Sequence, residues 1–315
     1  MNVPLHAGQP RGIGALLKKI RSQKLMLVIT VPVIVYVFIF SYLPISGWIW
    51  AFFDYKAKLS AFEANFAHFK YFSELFSSEG FWLALRNTMV LSLLNLSLGT
   101  FFAVLFALII NEIRFRSFKR LAQTISYLPH FISWVIVASI FTNLLRIDGG
   151  VVNEALVGYG ILEKPFPFLL TGWMYWPLVT FMGIWKETGW SAILYLSAMT
   201  GINEELYEAA YVDGAGRMRR IWHITLPGIR ETIIILLIMN TGWVLGTGFE
   251  QGLLFSNGAN LAYSDVVATY TVRYGLTKGR ISFAMAASMF QSLAGFGLVL
   301  LSNFISRRVS ETSLF

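Results

Sequence analysis

Six stretches of nearly unbroken apolar residues divide the chain, and charged or polar positions return between them. They run roughly over Leu25–Phe53, Trp82–Ile110, Leu121–Leu145, Gly172–Met199, Ile229–Leu254 and Ser282–Ile305. Each reaches or exceeds the ~20 residues that a helix needs to cross a ~30 Å hydrocarbon core. The pattern predicts an all-α polytopic membrane protein with six transmembrane helices. The first stretch follows Lys18, Lys19, Arg21 and Lys24, as a secretory signal would. It is much longer than a signal's apolar region and lacks a small-residue cleavage site, so it reads as a retained span. The connections Asp54–Phe81, Arg146–Thr171 and Phe255–Ile281 are too short to be separate domains of typical size. The expected map is a tail over 1–24, one membrane domain over 25–306 and a second tail over 307–315. Phe62, Phe66, Phe69, Tyr71, Phe72 and Phe76 fit a helix lying among lipid headgroups.

Composition and charge orient these spans. Of 315 residues 56% are hydrophobic and 13% charged, with mean hydropathy +0.61, too apolar for a soluble domain of this length. The net charge of +8 does not mark a nucleic-acid face, which needs basic residues gathered on one side of a folded domain. Here Arg11, Lys18, Lys19, Arg21 and Lys24 precede the first span, and Arg114, Arg116, Lys119 and Arg120 lie between the second and third. Arg217, Arg219 and Arg220 lie between the fourth and fifth, and Arg307 and Arg308 follow the sixth. With six spans all of these share one side. The bias of Lys and Arg toward cytoplasmic loops then places both termini and the connection between the fourth and fifth spans in the cytoplasm. The chain has no cysteine, so disulfides and thiolate metal sites are excluded, and its four histidines lack metal-site spacing. Trp48, Trp50, Trp82, Trp173 and Trp176 fall near the outer ends, where interfacial aromatic belts form.

The fourth-to-fifth connection, 201–228, has local signals of its own. Asn203 is placed to cap a short helix whose first turn carries Glu204 and Glu205, favoured at the positive helix end. That helix runs toward Tyr211, and Gly214 and Gly216 permit a sharp reversal. Arg217, Arg219 and Arg220 then alternate with Met218, Ile221 and Trp222, predicting a second helix whose apolar side rests on the bundle. Pro227 suits the first turn of the fifth span. An isolated Glu-Ala-Ala in such a place is usually an ordinary amphipathic connector. Here Glu208, Ala209, Ala210, Asp213, Gly214, Ile224, Leu226 and Pro227 stand at a complete set of spacings.

That set resembles the cytoplasmic EAA loop of bacterial ABC importer permeases, through which the membrane subunit docks on its ATPase. From Arg86-Asn87-Thr88 onward the chain is similar to sugar-importer permeases of the maltose-transporter type, in the subgroup taking up oligosaccharides. The likeness is carried by Tyr127–Trp134, Trp185–Trp190 and Gly248–Gln251. The resemblance implies the type I importer permease fold, with a core of spans two to six (82–306) and span one added to embrace a second permease subunit, a different homologous chain. It also implies two ATPase subunits and an extracytoplasmic binding protein that delivers an oligosaccharide. No phosphate-cradling Gly-x-x-x-x-Gly-Lys-[Ser/Thr] occurs, so no cofactor is expected on this chain, and ATP and Mg fall to the ATPases.

Candidate substrate contacts are Trp185, Lys186, Glu187 and Trp190 on span four, and Asn240, Trp243, Thr247, Glu250 and Gln251 on span five. Charges inside a membrane face a cavity or a partner, and aromatic faces stack on sugar rings. Alternatively Lys186 and Glu187 form structural contacts between helices, with the tryptophans in packing. Lys186 hints at an acidic saccharide, and Glu187 beside it is placed to neutralise that charge. His130, next to Pro129, reads as satisfying carbonyls freed by a kink, with proton relay as the rival reading. Against an ion-coupled sugar carrier, the chain shows neither paired halves nor matching glycine- or proline-broken helices. A membrane enzyme would need a catalytic cluster, which is absent from the sequence.

Overall fold

The computed structural model describes residues 23–56 and 64–310. Among these, every regular element is helical, and the one extended pairing is an isolated antiparallel bridge between Phe53 and Phe66. Phe62 and most of both tails lie outside the described residues.

Helix α1 (Lys24–Val37) is apolar on all sides, so no stripe directs it into a core, and none of its residues is buried. It continues through a π turn at Phe38–Tyr42 and a 3-10 stretch at Leu43–Phe52, making one apolar helix of 29 residues. Its outer end joins the bundle where Ala51 packs with Tyr71, Leu75, Phe81 and Phe283. The aromatic segment forms α2 (Lys70–Ser77), which docks on that cluster through buried Tyr71 and Leu75 while Phe69 and Phe76 stay exposed. The Tyr71 hydroxyl donates to the Asp54 carboxylate, holding it below the ordinary carboxylate range, and burial raises Tyr71 to about 12.

Helix α3 (Glu79–Leu94), a π turn at Asn95–Gly99 and α4 (Thr100–Asn111) make one 33-residue span. This span, the α1 segment and the final helix (Ile281–Ser310, labelled α15 below) are the three described helices long and apolar enough to cross a membrane.

The expected third and fifth spans are bent rather than straight. Helix α5 (Arg116–Tyr127) and its 3-10 extension meet α6 (Trp134–Leu144) at 98°. Pro129 removes an amide donor there, Ile132 and Ser133 are extended, and Ser133 restarts the helix by accepting from the Ile136 amide at 3.4 Å. After α7 (Val151–Gly158), α8 (Tyr175–Thr200) and α9 (Glu204–Val212), the helical stretch Arg217–Gly228 opens with α10 (Arg217–Arg220) and meets α11 (Arg230–Thr241) at 54°. The path then breaks again: a 3-10 turn occupies Val244–Gly246, Gly248 is left-handed at φ 85°, and α12 (Phe249–Phe255) resumes. The sequence predicts a kink at Pro129 alone; the fifth span breaks as well, where Gly242, Gly246 and Gly248 sit within seven residues of an otherwise apolar run.

Helix α8 has 26 residues, about 39 Å at 1.5 Å per residue, and so is long enough to span. Lys186 and Glu187 at its centre keep it below the apolarity of the three spanning helices. Short α13 (Leu261–Ser264) and α14 (Val267–Val272) then lead to α15. Between them Asp265 is buried, which raises its carboxyl, while a Thr269 hydrogen bond and the Arg273 guanidinium oppose the shift.

Small residues set the closest helix contacts, as is usual where lipid removes any hydrophobic drive between helices. Ala103 and Ala107 of α4 meet Ala192 of α8 in a buried cluster. At Gly189 a Cβ would overlap the Ser126 carbonyl, so α8 and α5 touch backbone to backbone. Gly189→Ala should lower the thermal midpoint of the purified protein by several degrees, in line with about 1–3 kcal/mol for overpacking. Gly183→Ala, which meets the Asn95 side chain at 3.2 Å, should lower it less.

Candidate functional site

The two helix breaks and α8 surround a cavity of about 370 Å³. Span two contributes Ser92, Asn95 and Thr100, the start of α6 contributes Trp134, and α8 contributes Glu187, Thr188, Ser191 and Tyr195. The broken fifth segment contributes Asn240, Trp243, Thr247 and Gln251. Its freed carbonyls are met by side chains from other helices. The Ser92 hydroxyl donates to Val244 O, and Gln291 Nε2 donates to Leu245 O at 2.9 Å. Irregular backbone at this depth is tolerated only with such partners or beside a cavity. Both conditions hold.

A second polar cluster joins α8 to the α5–α6 break. Lys186 is 5% exposed, and its Nζ donates to the His130 carbonyl at 2.6 Å and pairs with Glu187 Oε1 at 3.2 Å. His130 Nδ1 lies 2.7 Å from Glu187 Oε2, and the imidazole stacks on Trp190 at 4.4 Å with the planes 1° apart. The kink carbonyl is thus satisfied by Lys186, while the His130 ring serves Glu187 instead.

Of the nine substrate candidates, Glu187, Asn240, Trp243, Thr247 and Gln251 line the cavity. Trp185 lies edge-on to Phe141 and is 39% exposed, while Trp190 packs on His130. Lys186 turns into its ion pair, and Glu250 is exposed outside the cavity wall. Sequence reasoning missed Ser92, Asn95, Trp134, Thr188, Ser191 and Tyr195. Thr188, Ser191 and Tyr195 carried a readable signal, being spaced three and four apart on one helix face.

The 201–228 connection has the expected first half. Asn203 Oδ1 accepts from the Glu205 amide at 3.0 Å. Helix α9 then ends in a paired reversal: Ala215 N donates to Ala210 O at 2.8 Å and Gly214 N to Tyr211 O at 3.1 Å, with Gly214 left-handed at φ 73°. Gly216 is not left-handed (φ −67°).

The second half departs from expectation. Met218 and Trp222 are 69% and 63% exposed, so that apolar side does not rest on the bundle. Pro227 lies in the short turn Leu226–Gly228, ahead of the 54° bend rather than in the first turn of α11. A π turn at Ile221–Thr225 precedes it. The loop is braced instead by the Tyr207 hydroxyl against Thr225 Oγ1 at 2.9 Å, and by Gly228, where a Cβ would stand 2.7 Å from Ile202.

Residues 96–311 match the family of binding-protein-dependent transport system inner membrane components. The chain belongs to this family. It is 40% identical to the polygalacturonan/rhamnogalacturonan transport system permease protein YteP of Bacillus subtilis, over 95% of this chain and 93% of that protein. It is 38% identical to Protein LplB of the same organism, over 94% and 92% of the two chains. Among solved structures it is similar to a chain of a bacterial ABC transporter that imports the acidic polysaccharide alginate, with TM-score 0.85, 38% identity, and 94% and 99% of the chains covered. The same transporter bound to its periplasmic protein carrying alginate pentasaccharide gives 0.86, with 95% and 99% covered. The protein is a permease subunit with the type I ABC importer fold. The ion-coupled carrier is not supported, although the helices are broken as some carriers' are.

The bond from Ser92 should be measurable as stability. Ser92→Ala leaves Val244 O with only the Thr247 amide at 3.4 Å and should cost about 1 kcal/mol in detergent unfolding. Ser97→Ala, whose hydroxyl serves Leu93 O of its own helix, should be close to neutral.

Proposed function

We propose that this subunit translocates an oligosaccharide delivered by an extracytoplasmic binding protein, through a path whose wall in this chain is the 370 Å³ cavity. The carrying observation is the cavity's chemistry: hydroxyls, amides and the aromatic faces of Trp134, Trp243 and Tyr195 converge there, as a polyhydroxylated ring requires. The relatives described above whose cargo is named all transport saccharides, which supports the same class.

In this reading the chain crosses the bacterial cytoplasmic membrane six times, with α8 and the two bent pairs as spans. Both termini and the 201–228 loop are cytoplasmic. A second, homologous permease chain completes the path. Two ATPase subunits bind the ATP and Mg. The loop is their docking element: Leu206, Tyr211, Val212, Met218 and Trp222 form an exposed apolar surface on it, the kind that marks a protein interface. Glu208, Ala209, Ala210, Asp213, Gly214, Ile224, Leu226 and Pro227 belong to this coupling element. Force on α9 passes through Tyr207 to Thr225, then to α11, whose end carries Asn240 to the cavity.

Gly214→Glu strains a left-handed position, and Glu208→Lys reverses a charge on the docking helix. Both should abolish saccharide uptake in vesicles while the protein still inserts; normal uptake in both would refute the coupling role. Tyr207→Phe should lower saccharide transported per ATP hydrolysed about two- to tenfold, consistent with the loss of one hydrogen bond. Unchanged stoichiometry would remove Tyr207 from the force path.

A further inference from the structure

Among the described residues Glu187 is the only charged one lining the cavity, and it is also the residue that ties the cavity to the α5–α6 break. A carboxylate offers about four acceptor sites. Here Oε2 takes the His130 ring at 2.7 Å and Oε1 the Lys186 ammonium at 3.2 Å. One lone pair on each oxygen remains for donors, the side chain is 42% exposed, and it lines the cavity. The two groups that hold it are themselves fixed. Lys186 is buried and bonded to the His130 carbonyl, and the His130 ring is stacked on Trp190. The cation is spent behind the wall, since Lys186 does not line the cavity.

We propose that Glu187 is a specificity residue that accepts hydrogen bonds from saccharide hydroxyls, with His130 and Lys186 as positioning residues that aim its carboxylate into the path. This rests on the saccharide reading of the cavity and deepens it. A ring hydroxyl brings the donor that Glu187 needs. A uronate carboxylate brings only acceptors and a like charge, and the lining supplies no cation to compensate. This wall therefore reads the hydroxyl edge of the chain. An acidic saccharide passes it with its carboxylates turned away from Glu187.

The test compares a short oligogalacturonate with the same oligosaccharide after its carboxyls are reduced to hydroxymethyl groups. Binding of each to the complete assembled transporter is measured by calorimetry without the binding protein, whose own selectivity would otherwise enter. The readout is the affinity ratio of reduced to native saccharide, which cancels losses in assembly. Glu187→Gln should move that ratio roughly tenfold toward the native uronate, the scale of one charge-assisted hydrogen bond. His130→Leu should move it the same way. His130→Asn, which keeps a donor near Nδ1, should restore it, a rescue that a merely structural ring would not show.

An unchanged ratio in Glu187→Gln overturns the proposal while leaving the cavity as the path. If Glu187→Gln fails to assemble, the His130 pair decides: equal ratios in Leu and Asn variants overturn it. If the unmodified transporter binds neither saccharide, the saccharide reading of the cavity falls and takes this inference with it.

Discussion

In hydrocarbon a backbone amide or carbonyl has no water to turn to, so each must be bonded within the protein. The architecture of this permease follows from where that demand is relaxed. Through α1 and the α3–α4 span the helix meets it alone, and the side chains are free to be apolar. At Leu128–Ser133 and at Gly242–Gly248 the helix gives up its own bonds, and other elements replace them: Lys186 at the first break, Ser92 and Gln291 at the second. Those substitutions bring polar side chains into the helix bundle. The cavity lies where they meet.

In the proposed function, the same logic lets cargo and coupling share one element. A straight, fully bonded fifth span would carry movement from the cytoplasmic loop past the cavity without changing its wall. The observed path is jointed at Ile229 and again at Trp243–Gly248, with α11 as a rigid segment between. Its N-terminal end is held by Tyr207–Thr225 and Gly228–Ile202, and its far end carries Asn240 and Trp243. Small residues let α4, α5 and α8 approach closely enough to act as the frame against which that segment moves.

Much of this was legible in the linear pattern. Apolar length located the three helices long and apolar enough to cross a membrane to within a few residues, because the bilayer imposes a length on any helix that crosses it. The Asn203 cap and the Gly214 reversal were legible because capping and left-handed turns are decided by residues a few positions apart. The 98° sharpness of the Pro129 kink and the break at Gly242–Gly248 were not. Whether Pro129 or the glycines of 242–248 break a helix depends on whether a neighbour offers a replacement bond, and Ser92 and Gln291 are distant in sequence. The same reason hides how Asn240, Trp243, Thr247 and Gln251 come together. They reach one cavity through a broken backbone rather than along one helix face.

The sequence by itself carried the membrane character of the chain, its longest apolar stretches and the resemblance of the loop after α8 to a coupling loop. Those properties rest on composition, local charge and short-range geometry. Tertiary structure alone decided the fate of Lys186 and Glu187, adjacent in sequence and equally charged in magnitude. One is folded behind the wall onto a carbonyl 56 residues away, and the other faces the cavity. Charge in a low-dielectric interior is governed by its nearest partners, and those partners exist only once the helices have packed.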